Sequence, residues 1–249
     1  MQVRQEVRGR VLVIRLERPD KRNAINEAMA VGIDAALNRL DDDPDLWVGV
    51  LTGTPTVFCA GTDIKEGSGP LTPRGGEYGV IRRERSTPLI AAVEGQALGG
   101  GFEIALACDL VVAARDAVFG LPESLRGLVA TSGALFRAPR ALPVNVAREL
   151  LITGNTLGAD RAYGLGVVNE VTEPGAALDA ALRMAERICL SSPVSVRESL
   201  RAVHALTADS DITGWEVTER AKAVVTASAD MREGIDAFFE RRSPNWTGK

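Results

Sequence analysis

The chain of 249 residues holds a single histidine, His204. That scarcity removes histidine-rich metal centres and leaves any Ser-His-Asp triad dependent on His204 alone. His204 falls in SVRESLRAVHAL, a stretch of helical spacing, where an imidazole packs or meets solvent. Cysteine is nearly as rare. Cys59, Cys108 and Cys189 are odd in number, far apart and free of any CxxC spacing. They make neither a disulfide framework nor a zinc site, and they suit a reducing cytoplasm. No apolar run approaches the roughly 18 residues that cross a bilayer. The opening MQVRQEVRGRVLVIRLERP breaks each apolar run with a charge, so neither a membrane span nor a signal peptide is expected. A basic surplus is missing too. Lys and Arg number 29 against 33 Asp and Glu, a net charge of −4, and nucleic acid is therefore not an expected partner.

What is present is ordinary globular material, 45% hydrophobic and 25% charged, long enough for one large core. Strands are expected at residues 10–16, 47–51, 88–93, 110–113, 117–119 and 167–171, with a helix at 26–40 capped by Asn23 or Asn26. Residues 71–86 are polar and glycine-rich and read as a mobile stretch before a short helix. From Ser132 onward helices dominate, at 135–142, 144–152, 159–164, 176–190, 193–206, 212–227 and 231–241. Strands alternating with helices, then helices alone, predict an α/β body over 1–190 and a helical region over 191–249.

The segment Leu98-Gly99-Gly100-Gly101-Phe102-Glu103 carries the most chemical information. Three glycines between a buried strand and a helix imply a backbone approach that a side chain would block. The helix N-terminus offers unpaired N–H groups to an anion. A phosphate loop needs Lys-Ser/Thr after its glycines, whereas Phe-Glu-Ile-Ala follows here; the oxyanion of a polarised carbonyl is the reading that survives. Glu103 sits among apolar neighbours, where a charge is costly unless paired or useful. It shares a helix face with Gly100. A glutamate that merely caps the helix dipole explains the local residues equally well. Glu123, after Pro122 and before Arg126, is in isolation a solvated loop residue or an ion-pair partner of Arg126. Two carboxylates near one reacting carbon would, however, serve acid–base chemistry without histidine. Phe58-Cys59-Ala60-Gly61-Thr62-Asp63-Ile64 follows a buried strand and could supply a second N–H.

Taken together, FCAGTDI, AAVEGQALGGGFEIALACDLVVAARDAVFGLPE and LLITGNTLGADRAYGLGVVNEV resemble the crotonase superfamily in order and spacing, from ERPDKRNAIN to the AFFERRSP tail. The resemblance implies a spiral of β-β-α units, with the C-terminal helical region building homotrimers that often pair as hexamers. It implies an oxyanion hole from the Thr62 and Gly100 N–H groups and an acid–base pair in Glu103 and Glu123. Coenzyme A would run along Ala60, Thr62, Asp63, Ile64 and Lys65. Phe238 and Arg241 of a neighbouring subunit would reach its nucleotide end. The implied activity is that of an enoyl-CoA hydratase, a lyase of the fatty acid metabolism type, adding water to a 2-enoyl-CoA through an enolate. No metal or separate cofactor is implied, since coenzyme A belongs to the substrate. The pattern departs from straight-chain hydratases at Gly127-Leu-Val-Ala-Thr-Ser-Gly-Ala134, where Thr131 replaces a glycine. The run GGGFEIALA, LPE, the Ser-Gly pair, RAPRALP and the AFFERRSP tail look closer to the crotonobetainyl-CoA hydratase branch. Dehydration of a carnitinyl-like 3-hydroxyacyl-CoA, double-bond isomerisation and C–C hydrolysis remain open on the same scaffold. A non-catalytic acyl-CoA or RNA-binding relative is the distant alternative.

Overall fold

The computed structural model describes residues 2–67 and 71–249. Strands β1 (Val3–Arg8) and β2 (Val11–Leu16) form an antiparallel hairpin, and helix α1 (Glu27–Asp42) follows. Asn26, not Asn23, is the cap: its side chain accepts the Met29 N–H at 3.0 Å, satisfying one of the free donors of the first turn. Met29, Ile33, Leu37 and Leu40 recur at helical spacing and are fully buried, which fixes the face that α1 turns to the core.

The chain then winds with a repeating step. β3 (Val48–Thr52) is followed by β4 (Val57–Cys59); after the short hairpin of β5 (Leu71–Thr72) and β6 (Gly76–Glu77) come β7 (Leu89–Val93), β8 (Gln96–Leu98) and helix α2 (Gly100–Ala107); then β9 (Leu110–Ala114) and β10 (Val118–Gly120). In each pair the first strand joins one sheet and the second joins another. The larger sheet runs β1-β2-β3-β7-β9-β12 and the smaller β11-β10-β8-β4, with β11 (Thr156–Gly158) and β12 (Glu170–Thr172) closing them. From β2 onward the larger sheet is parallel. Between the last strands lie α3 (Ala134–Ala141), α4 (Val144–Thr153) and α5 (Ala159–Gly164). This is the β-β-α spiral.

Parallel strands need cover on both faces. One face of the larger sheet meets α1 and the smaller sheet. The other is covered by α6 (Ala177–Cys189), whose Ala177, Ala180, Ala181 and Ala185 pack on Val48, Val50, Ile90 and Val112. Alanine at these positions lets helix and sheet approach closely. Beyond α6, one continuous helix α7 (Pro193–Thr226) replaces the two helices expected at 193–206 and 212–227, and α8 (Ala229–Glu240) ends the fold. No helix among the described residues is long and apolar enough to cross a membrane.

The expectation of mobility over 71–86 is overturned. Tyr78, Val80 and Ile81 are buried, and the Arg83 side chain is 1% exposed, donating to Asp34 Oδ1 at 2.5 Å, Asp41 Oδ2 at 2.9 Å and Asn38 Oδ1 at 2.9 Å. Arg85 likewise pairs with Asp109 at 2.6 Å, while Asp109 also accepts the Leu89 N–H. Thr72, Arg83 and Arg85 are turned inward against α1 and the start of β7, while Arg74, Arg82 and Glu84 stay exposed. Because truncating one partner strands a buried charge, Arg83→Ala is expected to cost about 3–5 kcal/mol in chemical denaturation. Joint replacement of Arg83, Asp34 and Asp41 by apolar residues is expected to recover part of that loss.

Candidate active site

Two backbone segments meet at the mouth of α2. The first is the turn after β4. Asn23, fully buried, donates from Nδ2 to Val57 O at 3.1 Å and Phe58 O at 3.0 Å, which anchors β4. Cys59 Sγ then accepts the Gly61 N–H at 3.3 Å. Past this point the chain bridges to Ile25: its N–H donates to Gly61 O at 2.7 Å and its carbonyl accepts the Asp63 N–H at 3.0 Å. Strand alternation therefore turns the intervening Thr62 N–H to the opposite side, away from Ile25.

The second segment is the glycine run. Gly99 adopts φ +54°, a left-handed value that a side chain rarely takes. Gly99 O accepts the Phe102 and Glu103 N–H groups, whereas Gly100, opening the helix, has no helical acceptor for its own N–H. A Cβ added at Gly61 would lie 2.9 Å from Gly100 N, and one added at Gly101 would lie 2.1 Å from Cys59 O. The two turns thus touch backbone to backbone, bringing Thr62 and Gly100 together with donors to spare.

Glu103 is 2% exposed. Its Oε1 accepts the Ser132 N–H at 2.7 Å and the Ala134 N–H at 3.1 Å. Burial drives its carboxyl well above the ordinary range, against the pull of those two donors. Glu123 sits on the 3-10 turn Pro122–Arg126, with Oε1 3.0 Å from where a Cβ on Gly99 would fall. Its Oε2 is buried without a hydrogen-bond partner. Burial first, and then the nearby charge of Glu103, push the Glu123 carboxyl upward as well. Two glutamates distant in the chain thus come near each other at the start of α2, Glu123 beside Gly99 and Glu103 on the helix that Gly100 opens. The two differ in their partners: two N–H donors converge on Glu103, whereas Glu123 Oε2 has none, and burial penalises the charged form of both. Thr131 lies outside the left-handed region, so the backbone there does not call for glycine.

The remaining expected residues divide. Ala60 donates its N–H to Arg22 O. The Asp63 carboxylate is engaged by Arg18 at 2.7 Å and accepts the Lys65 N–H at 3.2 Å. Ile64 is half-buried and Lys65 exposed, with Lys65 Nζ 5.8 Å from the Phe239 ring. The Arg126 guanidinium stacks 4.7 Å from the Phe238 ring. Arg241 is exposed at the left-handed C-cap of α8. Helix α8 packs on the 3-10 turn of its own chain, where Gly234 lets it come so near that an added Cβ would be 2.3 Å from Arg126 O.

Sequence reasoning missed Tyr78. It is 3% exposed, and its hydroxyl bonds Thr62 Oγ1 at 2.7 Å. A tyrosine between glycines in GGEYG was the available signal. A separate cavity of about 990 Å³ lies between α7 and the body, lined by residues that include Arg82, Arg140, His204 and Trp215. Its arginines are largely matched, Arg82 to Glu77 and Glu219 and Arg140 to Asp211. His204 faces Asp109 there, at 3.5 Å. Volume alone does not make a reaction centre, and the paired carboxylates and spare donors lie elsewhere.

The fold and this constellation define a crotonase-type enzyme. The profile described as enoyl-CoA hydratase/isomerase matches residues 6–249. A mevalonyl-coenzyme A hydratase of Aspergillus fumigatus is 39% identical over 95% of this chain and 91% of its own length. A carnitinyl-CoA dehydratase of Proteus mirabilis is 37% identical over 97% of both. A solved carnitinyl-CoA dehydratase from Mycobacterium avium superposes with a TM-score of 0.93 at 42% identity, covering 100% of this chain and 99% of that one. The chain belongs to the enoyl-CoA hydratase/isomerase family.

A raised native carboxyl holds its proton to higher pH than the unfolded one, whose pKa is near 4.3. Wild-type stability contributed by the pair is therefore present below that value and falls as pH climbs through the raised native range. Glu123→Gln cannot titrate, so its melting temperature relative to wild type is expected to improve with pH, by about 2–6 °C at pH 8.5 and little at pH 4. Calorimetry across that range checks the sign.

Proposed function

We propose that the enzyme is an enoyl-CoA hydratase, adding water reversibly to the double bond of a 2-enoyl-CoA thioester. The observation that carries this reading is the unequal treatment of two buried glutamates beside two unused main-chain donors. The thioester oxygen sits between the Thr62 and Gly100 N–H groups, which hold the negative charge as the enolate forms, an effect worth about 3 kcal/mol per donor. Glu103, aligned by the Ser132 and Ala134 N–H groups, positions water and takes its proton as oxygen adds at the β-carbon. Glu123, kept protonated by burial and by the Glu103 charge, gives its proton to the α-carbon. In the reverse direction each group plays the opposite part, so a 3-hydroxyacyl-CoA is dehydrated by the same site.

The coenzyme A moiety follows the main chain from Ala60 through Thr62, Asp63 and Ile64 to Lys65. Its phosphates meet Lys65, Arg126 and Arg241, with Phe238 beside them; no further cofactor takes part. The working enzyme is a cytoplasmic homotrimer, or a hexamer of two trimers. Support comes from α7, a helix of 34 residues in which only Gly214 and Thr218 are buried. It exposes Val194, Val203, Leu206, Ile212 and Val224, more apolar surface than a solitary helix carries into water. Light scattering on the purified protein is expected to give three or six times the 26.4 kDa chain mass; a monomer at micromolar concentration would rule the assembly out.

The chemistry is tested with a panel of enoyl-CoA esters followed by mass spectrometry. Glu103→Gln and Glu123→Gln are each expected to lower kcat on the best substrate by about 10²–10⁴-fold, with acyl-CoA binding retained. Wild-type turnover by both variants would end this mechanism.

A further inference from the structure

The phenol of Tyr78 occupies a position that neither the acid–base pair nor the main-chain donors explain. A Cβ added at Gly100 would lie 2.6 Å from its Oη and 2.7 Å from its Cζ. Gly100 must therefore be glycine for a second reason: the space its side chain would take belongs to this ring. The hydroxyl is bonded to Thr62 Oγ1 at 2.7 Å, with the Ser132 hydroxyl also beside it. It thus touches the residues that carry both N–H groups and one that steers Glu103. The backbone of Tyr78 is held at φ +57°, a conformation that costs a non-glycine residue about 1–2 kcal/mol, and Gly79 follows it at φ +79° against Ala30 O and Asp34 N. The ion pairs of Arg83 fasten this turn to α1. Burial, and then the charge of Glu103, raise the phenol above its ordinary range, so at neutral pH it is an intact O–H donor.

We propose that Tyr78 is a third donor of the oxyanion hole. Thr62 Oγ1 donates to the tyrosine oxygen, and the phenol O–H thereby freed donates to the enolate oxygen held between the Thr62 and Gly100 N–H groups. No bond is made or broken at Tyr78; its proton stays on the phenol. A residue that only packs would stabilise the fold without discriminating enolate from ester, whereas a donor aimed at developing charge acts mainly on kcat. The assignment rests on the enolate chemistry proposed above.

The test compares wild type with Tyr78→Phe and with Thr62→Val, which keeps the Thr62 N–H. Steady-state hydration of crotonyl-CoA is measured beside the enolate absorption of bound acetoacetyl-CoA. Tyr78→Phe is expected to lower kcat about 100-fold with KM within about threefold, and to weaken the enolate band. Thr62→Val is expected to shift both in the same direction, by about tenfold in kcat. A Tyr78→Phe enzyme within about twofold of wild-type kcat and with an unchanged enolate band overturns the proposal, as does a change confined to melting temperature. Should Tyr78→Phe fail to fold, Thr62→Val decides alone, an unaltered enolate band refuting the donor. The spectral measurement needs no turnover. If wild type hydrates none of the esters yet binds acetoacetyl-CoA as a Tyr78-dependent enolate, the hydratase reading falls and the donor stands.

Discussion

The contact between the turn after β4 and the first residue of α2 is the constraint on which the rest of the molecule depends. Two main-chain segments approach closely enough that no Cβ fits between Gly61 and Gly100 or between Gly101 and Cys59. Such an approach leaves donors unpaired, which is costly in a core. Everything nearby serves to hold it: Asn23 clamps β4, Cys59 shapes the turn, Arg18 pins Asp63, and the parallel pairing of β4 with β8 brings the turn alongside the strand that leads into the helix. The spiral topology holds these two backbone segments against each other on rigid supports.

Around that contact the structure tolerates two carboxyl groups in a space that disfavours charge. Neither is neutralised by an ion pair among the described residues. Glu103 is steadied by two amides of the 132–134 segment, and Glu123 is left with a bare oxygen. A core built for stability alone would place apolar side chains here. Apolar burial elsewhere offsets that cost, as in the alanine face of α6 against the larger sheet and the fully buried Ile33, Leu37 and Leu40 of α1.

Much of the site could be read before the fold was known, because its parts are local. A glycine run between strand and helix, a glutamate three residues on, and an asparagine cap before an amphipathic helix each announce themselves within a few positions. What escaped has its cause far away in the chain. Tyr78 is turned inward because Arg83 reaches back over 40 residues to Asp34 and Asp41, and charges that find such partners look, in sequence, like charges facing water. The break expected within α7 failed for the opposite reason: polar residues at 207–211 weaken helical periodicity without interrupting the backbone. The close seat of α8 on the 3-10 turn also depends on Gly234, whose meaning appears only when the carbonyl it approaches is known.

Two of the three donors proposed for the enolate are peptide N–H groups. Point mutation exchanges side chains and leaves amide hydrogens in place, so drift in the gene can replace either glutamate or reshape the acyl cleft without dismantling the support for an enolate. Diversification of chemistry on such a scaffold would proceed by changing what happens to the carbanion, while the means of generating it persists by inheritance of the backbone.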